Sequence, residues 1–354
     1  MRKAVRRRIT LFPILFFLLG CQITGAAAAA AADSATQTAL ALSVIQYSTS
    51  AGGRFPSPTN TAQGIRPHTP TASATPIPSE TATVTATATA TPTATAGHTV
   101  TPPGATGATR YILDPVTRDY APQKKSPAGS DEYQNNRWER PYTAGTMDYL
   151  PDVDLIRVEL RVAPPWIYVT FVTAGTRPAG TGQTMYGAEF DVNRDGRGDY
   201  LVWGASPPGA EWTTAGVEVW KDSNADVGGP IPLLANAPWS SGNGYDRKVF
   251  PGGQGADPDL AWIRQIESEA KIQLAFSILA VGNAPQFLWS GLADFGIRRP
   301  DWFDYNDHFT QSEAGSPLPV QADFYPLQAL FGIDNTCRDA YGFTPTGSEA
   351  GLCV

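Results

Sequence analysis

The sequence predicts an all-β protein: an antiparallel, jelly-roll-like β-sandwich that follows a disordered N-terminal stalk. Three observations predict it. After residue 150, apolar and polar residues alternate at period two in short runs, the pattern of strands with one buried face. Turn-forming clusters separate those runs, among them Pro164-Pro165, Pro207-Pro208-Gly209, Gly228-Gly229 and Pro251-Gly252-Gly253. No long stretch carries the 3.6-residue period of a helix, so the short strands must pack on one another.

The chain has 354 residues, a length that would allow two domains, yet much of its first third lacks the composition to fold. Arg2, Lys3, Arg6, Arg7 and Arg8 precede an apolar run over residues 9–19 that is short for a membrane span. The run ends in Leu18-Leu19-Gly20-Cys21. This resembles the lipobox of bacterial lipoproteins, although Leu19 stands where a small residue is more usual. The resemblance implies that residues 1–20 are a signal peptide, that Cys21 carries lipid, and that the protein is held by that lipid at the cell surface.

Residues 21–109 read as a linker. Over residues 54–109 the composition is Thr, Ala, Pro and Ser with few aromatic or charged residues, so little can be buried to offset ordering entropy. Such a stalk, extended, reaches on the order of 100–200 Å. A folded domain is expected over residues 110–354. Its first thirty residues are polar and irregular. Strands are then expected at 156–162, 166–172, 185–190, 200–203, 217–220, 248–250, 260–264, 272–278 and 287–293. Three cysteines are present. With Cys21 lipidated, Cys337 and Cys353 remain as a pair, and a disulfide between them would staple the C-terminal tail, contributing roughly 3 kcal/mol.

The most informative stretch lies between two expected strands. Asp191, Asn193, Asp195 and Asp199 stand at loop positions one, three, five and nine, with Gly196 at six. Three carboxylates within nine residues repel one another. A hard cation that takes six to eight oxygens relieves the repulsion, and Ca²⁺ is the expected cofactor, with the Arg197 carbonyl as a further ligand. Residues 191–204 resemble the calcium hairpin of integrin-type propeller repeats, and the single copy implies no propeller. An EF-hand fits less well, because Val202 occupies position twelve. Asp222, Asn224 and Asp226 repeat the one-three-five spacing and are a possible second metal site or an Asx-rich turn. Asp301, Asp304, Asn306, Asp307 and His308 form a third polar cluster, read either as a mixed-ligand site or as a hydrogen-bonded loop.

All nine tryptophans follow the stalk. Trp203, Trp220, Trp262 and Trp289 fall in strand patterns and are expected in the sheets. Trp212, Trp239 and Trp302 fall beside loops, where a ring can stack on a sugar face. Residues 152–155 and 166–171, followed by the strand into the acidic loop, are similar to the start of DOMON and related carbohydrate modules. That likeness is one of strand order, without matched ligand residues. The net charge of −7 and the lack of a basic block outside the N-terminus argue against nucleic acid as a partner. No Gly-x-Ser-x-Gly element is present; Glu211, Glu218, Asp294 and Asp301 are the acids from which a glycosidase pair could be drawn. The expected function is non-catalytic binding of extracellular carbohydrate by a surface lipoprotein. The alternatives are a structural or protein-interaction module and a carbohydrate-active enzyme.

Overall fold

The computed structural model describes residues 100–353 apart from 178–181, 208, 236–241, 253–259, 267–269 and 319–324. The expected signal peptide, Cys21 with its expected lipid, residues 21–99 of the expected linker, and Trp239 lie outside the described residues.

Two antiparallel sheets carry the fold. The first has the order β1-β3-β4-β10-β9, formed by Arg110–Leu113, Leu155–Ala163, Trp166–Thr173, Lys271–Ser277 and Ala261–Ile266. The second runs β2-β12-β11-β5-β6-β7-β8, formed by Glu139–Arg140, Ile333–Asn335, Phe287–Asp294, Met185–Asp191, Tyr200–Ala205, Val217–Lys221 and Arg247–Pro251. A further short strand, β13 (Asp339–Tyr341), pairs with β11. The nine strands expected from periodicity are β3 to β11, each within a residue or two of its expected bounds.

The strands form where they do because alternate side chains meet across the sandwich. Val158, Leu160, Ile167, Val169, Phe171, Ile272, Leu274 and Phe276 from the first sheet pack on Tyr186, Ala188, Phe190, Val202, Val219 and Trp289 from the second. One detail departs from the expected alternation. A bulge between Leu155 and Arg157 in β3 shifts the register, so Leu155 is buried in place of Ile156. Beyond the bulge the alternation resumes from Val158 to Arg161.

The centre of the second sheet is buried on both faces, whereas its β8 edge is exposed. Every residue of β11 is buried. Leu201 and Trp203 of β6 point away from the sandwich core into a second apolar cluster with Trp138, Tyr245, Leu292, Phe303, Tyr305 and Ile333. That cluster comes from segments expected to be irregular, which wrap the outer face of the sheet. Two single-turn helices, α1 (Tyr305–His308) and α2 (Gln311–Ala314), belong to this covering layer. Trp203, Trp262 and Trp289 are buried and Trp220 is half-buried, in line with their places in strands.

Candidate functional site

The acidic loop joins β5 to β6, which pair from Met185 opposite Ala205 to Phe190 opposite Tyr200. Its side-chain oxygens bind its own backbone. Asp191 accepts hydrogen bonds from the N–H groups of Arg194 and Gly196. Asn193 Oδ1 accepts from Asp195 N at 2.8 Å, and Asp195 Oδ1 from Arg197 N at 2.9 Å. Asp199 Oδ2 accepts from Val192 N at 2.7 Å and Asn193 N at 3.2 Å. Gly196 at φ +93° makes the turn that the spacing requires of a glycine. Asn193 and Asp195 are exposed, whereas Asp191 is buried.

Beneath the loop lies a cation that the sequence did not point to. Arg338 donates from Nη1 to the Gly196 carbonyl at 2.7 Å and sits 3.7 Å from Asp191 Oδ2. Its Nε donates to Glu189 Oε1 at 2.9 Å, and Nη2 donates to the same oxygen. Tyr245 donates to Glu189 Oε2 at 3.0 Å. Arg338, Glu189 and Tyr245 are all buried. Carboxylate repulsion in the loop is therefore relieved in part from within. A Cβ on Gly198 would stand 1.9 Å from the Tyr245 hydroxyl, so only glycine lets the loop lie on this network. Desolvation pushes the Asp191 carboxyl up to about 6 although Arg338 opposes it, and desolvation likewise raises Asp199.

The disulfide explains how Arg338 arrives there. Cys337 and Cys353 are bonded, with Cα atoms 5.0 Å apart. Arg338 N donates to the Gly351 carbonyl at 2.7 Å and Cys353 N to the Arg338 carbonyl at 2.9 Å. The staple thus holds the tail against the hairpin as well as closing it.

The second acidic loop repeats the first and lies beside it. Asp222 Oδ1 accepts from Asn224 N and Ala225 N, and Oδ2 from Val227 N at 2.9 Å, the N–H of position six in each loop. Arg194 and Ala225, both at position four, have φ of +64° and +58°. Asn224 Nδ2 donates to Asp226 at 2.9 Å. Asp222 N donates to the Asp199 carbonyl at 3.0 Å, and the Arg197 guanidinium donates to the carbonyls of Val227, Gly229 and Pro230. Arg197 thus bolts the two loops together through its side chain, a role its expected part as a carbonyl ligand did not foresee.

In the third cluster, Asp301 pairs with Arg299, and His308 lies 3.2 Å from Asp304 Oδ1. His308 also stacks on Trp302 at 5.1 Å, and the Arg299 guanidinium lies 4.1 Å from the Trp302 ring. Trp212 is half-buried against Tyr168 and Trp262 on the outer face of the first sheet. It lines an open groove of about 630 Å³ with Gln183, Ser206, Glu211 and Thr213. The Arg264 guanidinium lies 4.4 Å from its ring. Trp212 and Trp302 belong to different clusters, the first on the outer face of the first sheet and the second in the layer covering the second sheet.

Among the candidate catalytic acids, Glu218 accepts from Lys248 at 2.6 Å and Trp220 Nε1 at 2.9 Å. Asp294 is fully buried and accepts from Ile297 N, Arg298 N and the Tyr305 hydroxyl. Desolvation pushes its carboxyl from 3.8 up to about 6 against those hydrogen bonds. A raised carboxyl contributes stability that is fully present below the unfolded value and lost as the pH rises through the folded value. The loss amounts to at most roughly 3 kcal/mol. Asp294→Asn removes that titration. The stability advantage of the wild type over this variant is therefore expected to shrink as the pH is raised from about 4 to about 8, read from urea midpoints. An advantage that stays constant over this range would show that Asp294 remains ionised in the folded protein.

No family model matches the chain, and no curated protein matches it.

Proposed function

We propose that this chain is a non-catalytic binding module of the cell envelope, anchored through lipid on Cys21, whose β-sandwich carries Ca²⁺ at the 191–199 hairpin and takes extracellular carbohydrate in the Trp212 groove. The observation that carries the carbohydrate reading is the groove itself. It sets one indole beside an amide, two hydroxyls and a carboxylate, which are the apolar and hydrogen-bonding partners a sugar ring requires. The hairpin supports the calcium reading by its oxygen-only donor set at positions one, three, five and nine. Trp302, already stacked on His308, is the weaker platform.

The test is a glycan array probed with the full chain. Binding is expected, and Trp212→Ala is expected to weaken it about ten-fold, the effect of losing roughly 1.4 kcal/mol of ring contact. Glycan binding that survives this change overturns the groove assignment. A second reading, contact with another protein, draws on Ile231 and Leu234, which are 52% and 44% exposed beside the hairpin. It gains ground if no glycan is bound at all.

A further inference from the structure

Away from both acidic loops, three carboxylates converge where the two sheets meet. Glu139 in β2 and Asp334 in β12 are direct cross-strand partners, so their side chains share one face of that ribbon. Asp114 follows β1, and its N–H donates to the Ile156 carbonyl in β3 at 3.3 Å. Asp114 thus extends from the first sheet while the other two belong to the second. One oxygen from each of the three lies within 4.8 Å of the others. Among the described residues this is the one acidic trio so arranged, and the hairpin's own carboxylates are not.

Positive charge near the trio is sparse and not in contact: Arg137 acts on Asp114, and Arg118 on the neighbouring Asp154, through space only. Asp334 and Glu139 are 0% and 1% exposed, and Asp154 beside them is 0% exposed. Among the described residues, none of these four carboxylates has an Arg, Lys or His nitrogen within 4.0 Å. Arg140, the nearest buried arginine in sequence, is committed to Asp131. Some oxygens are satisfied. Thr117 Oγ1 donates to Glu139 Oε1 at 2.6 Å, and Leu155 N donates to Asp334 Oδ2 at 2.6 Å. Asp154 accepts from Thr117 N, Arg118 N and the Tyr149 hydroxyl. Two are not: among the described residues no donor reaches the enclosed Asp334 Oδ1 and Asp114 Oδ2, and the two side chains lie within hydrogen-bond reach of each other. An enclosed, unpartnered carboxylate oxygen is destabilising unless a proton or a cation reaches it.

We infer that Asp114, Glu139 and Asp334 form a second cation site, separate from the hairpin, that takes a divalent ion of the calcium class and ties the two sheets together. The donor set is oxygen only, which selects hard cations over zinc or copper. Three carboxylates, each able to bind through two oxygens, supply up to six ligands. A proton shared between Asp114 and Asp334 would serve the two orphaned oxygens but leave Glu139 as bare charge beside them, whereas an ion at the common centre reaches all three side chains. Asp114, the half-buried member, marks the side from which an ion arrives.

The experiment measures bound calcium per chain by elemental analysis, after the full chain is refolded from denaturant in EGTA, returned to Ca²⁺ and desalted. A variant with the hairpin disabled, Asp195→Ala with Asp199→Ala, is expected to retain one equivalent. Adding Asp334→Asn or Glu139→Gln to that variant is expected to remove it. Hairpin-disabled protein that folds, by circular dichroism, yet retains no calcium overturns the inference. So does retention of the full equivalent after Asp334→Asn or Glu139→Gln. Should those additions prevent folding, the hairpin-disabled chain decides the question alone. The hairpin assignment fails by a different signature: wild type and the hairpin-disabled variant would then bind equal amounts.

Discussion

Replacing Arg338 by methionine is expected to cost about 3–5 kcal/mol of stability, measured as a lowered urea midpoint with an unchanged slope. Methionine keeps the length and the apolar stem, so the loss isolates the guanidinium. Without it, Glu189 remains 3% exposed with, among the described residues, only the Tyr245 hydroxyl donating to it, and the Gly196 carbonyl loses the Arg338 donor. Asp191, only 1% exposed, loses the positive charge 3.7 Å away. Two buried carboxylates are thus left side by side on one face of β5. A double replacement that also removes the Glu189 charge, Arg338→Met with Glu189→Gln, is expected to recover a large part of the loss, because the cost arises from stranded charge. A single variant within 1 kcal/mol of wild type would mean that the network does not support the hairpin.

Arg140→Met is expected to have an effect of the same size, about 3–5 kcal/mol by the same denaturation measurement. Arg140 is fully buried. It binds Asp131 with both arms of its fork, Nε at 2.7 Å and Nη2 at 2.9 Å. It also donates to the carbonyls of Ala314, Leu330 and Gly315. Its guanidinium lies 4.5 Å from the Trp138 ring. One side chain therefore joins the segment before β2 to the covering layer around α2. The variant strands a carboxylate and three carbonyls at once. Arg140→Lys is not expected to rescue, since an ammonium cannot reproduce a planar fork that addresses a carboxylate and carbonyls together. Full stability in the lysine variant would refute the fork as the source of the effect.

These two arginines mark where sequence reading stopped. Residues 111–141 read as a polar margin and the tail as a stapled cap, because neither carries a period. Period reports which face of a strand is buried; it says nothing of which distant group a charged side chain meets. Arg338 and Glu189 are 149 residues apart, and Arg140 lies 174 residues from Ala314. The same holds for Trp212 and Trp302. Their positions beside loops were legible, but the Arg264 and His308 that lie against their rings were not.

What the sequence determined by itself was local: nine strands by alternation, an acidic turn between two of them by its spaced oxygens and glycine, and a cysteine pair by count. Each of these depends on residues within a few positions of one another, or on simple arithmetic. Only the tertiary structure decided that a buried arginine underlies the acidic turn, that a second loop of like geometry is bolted to it, and that Asp114, Glu139 and Asp334 meet between the sheets. Those groupings follow from strand order and from the wrapping of irregular segments, and a buried charge takes its partner from whatever the fold brings within reach.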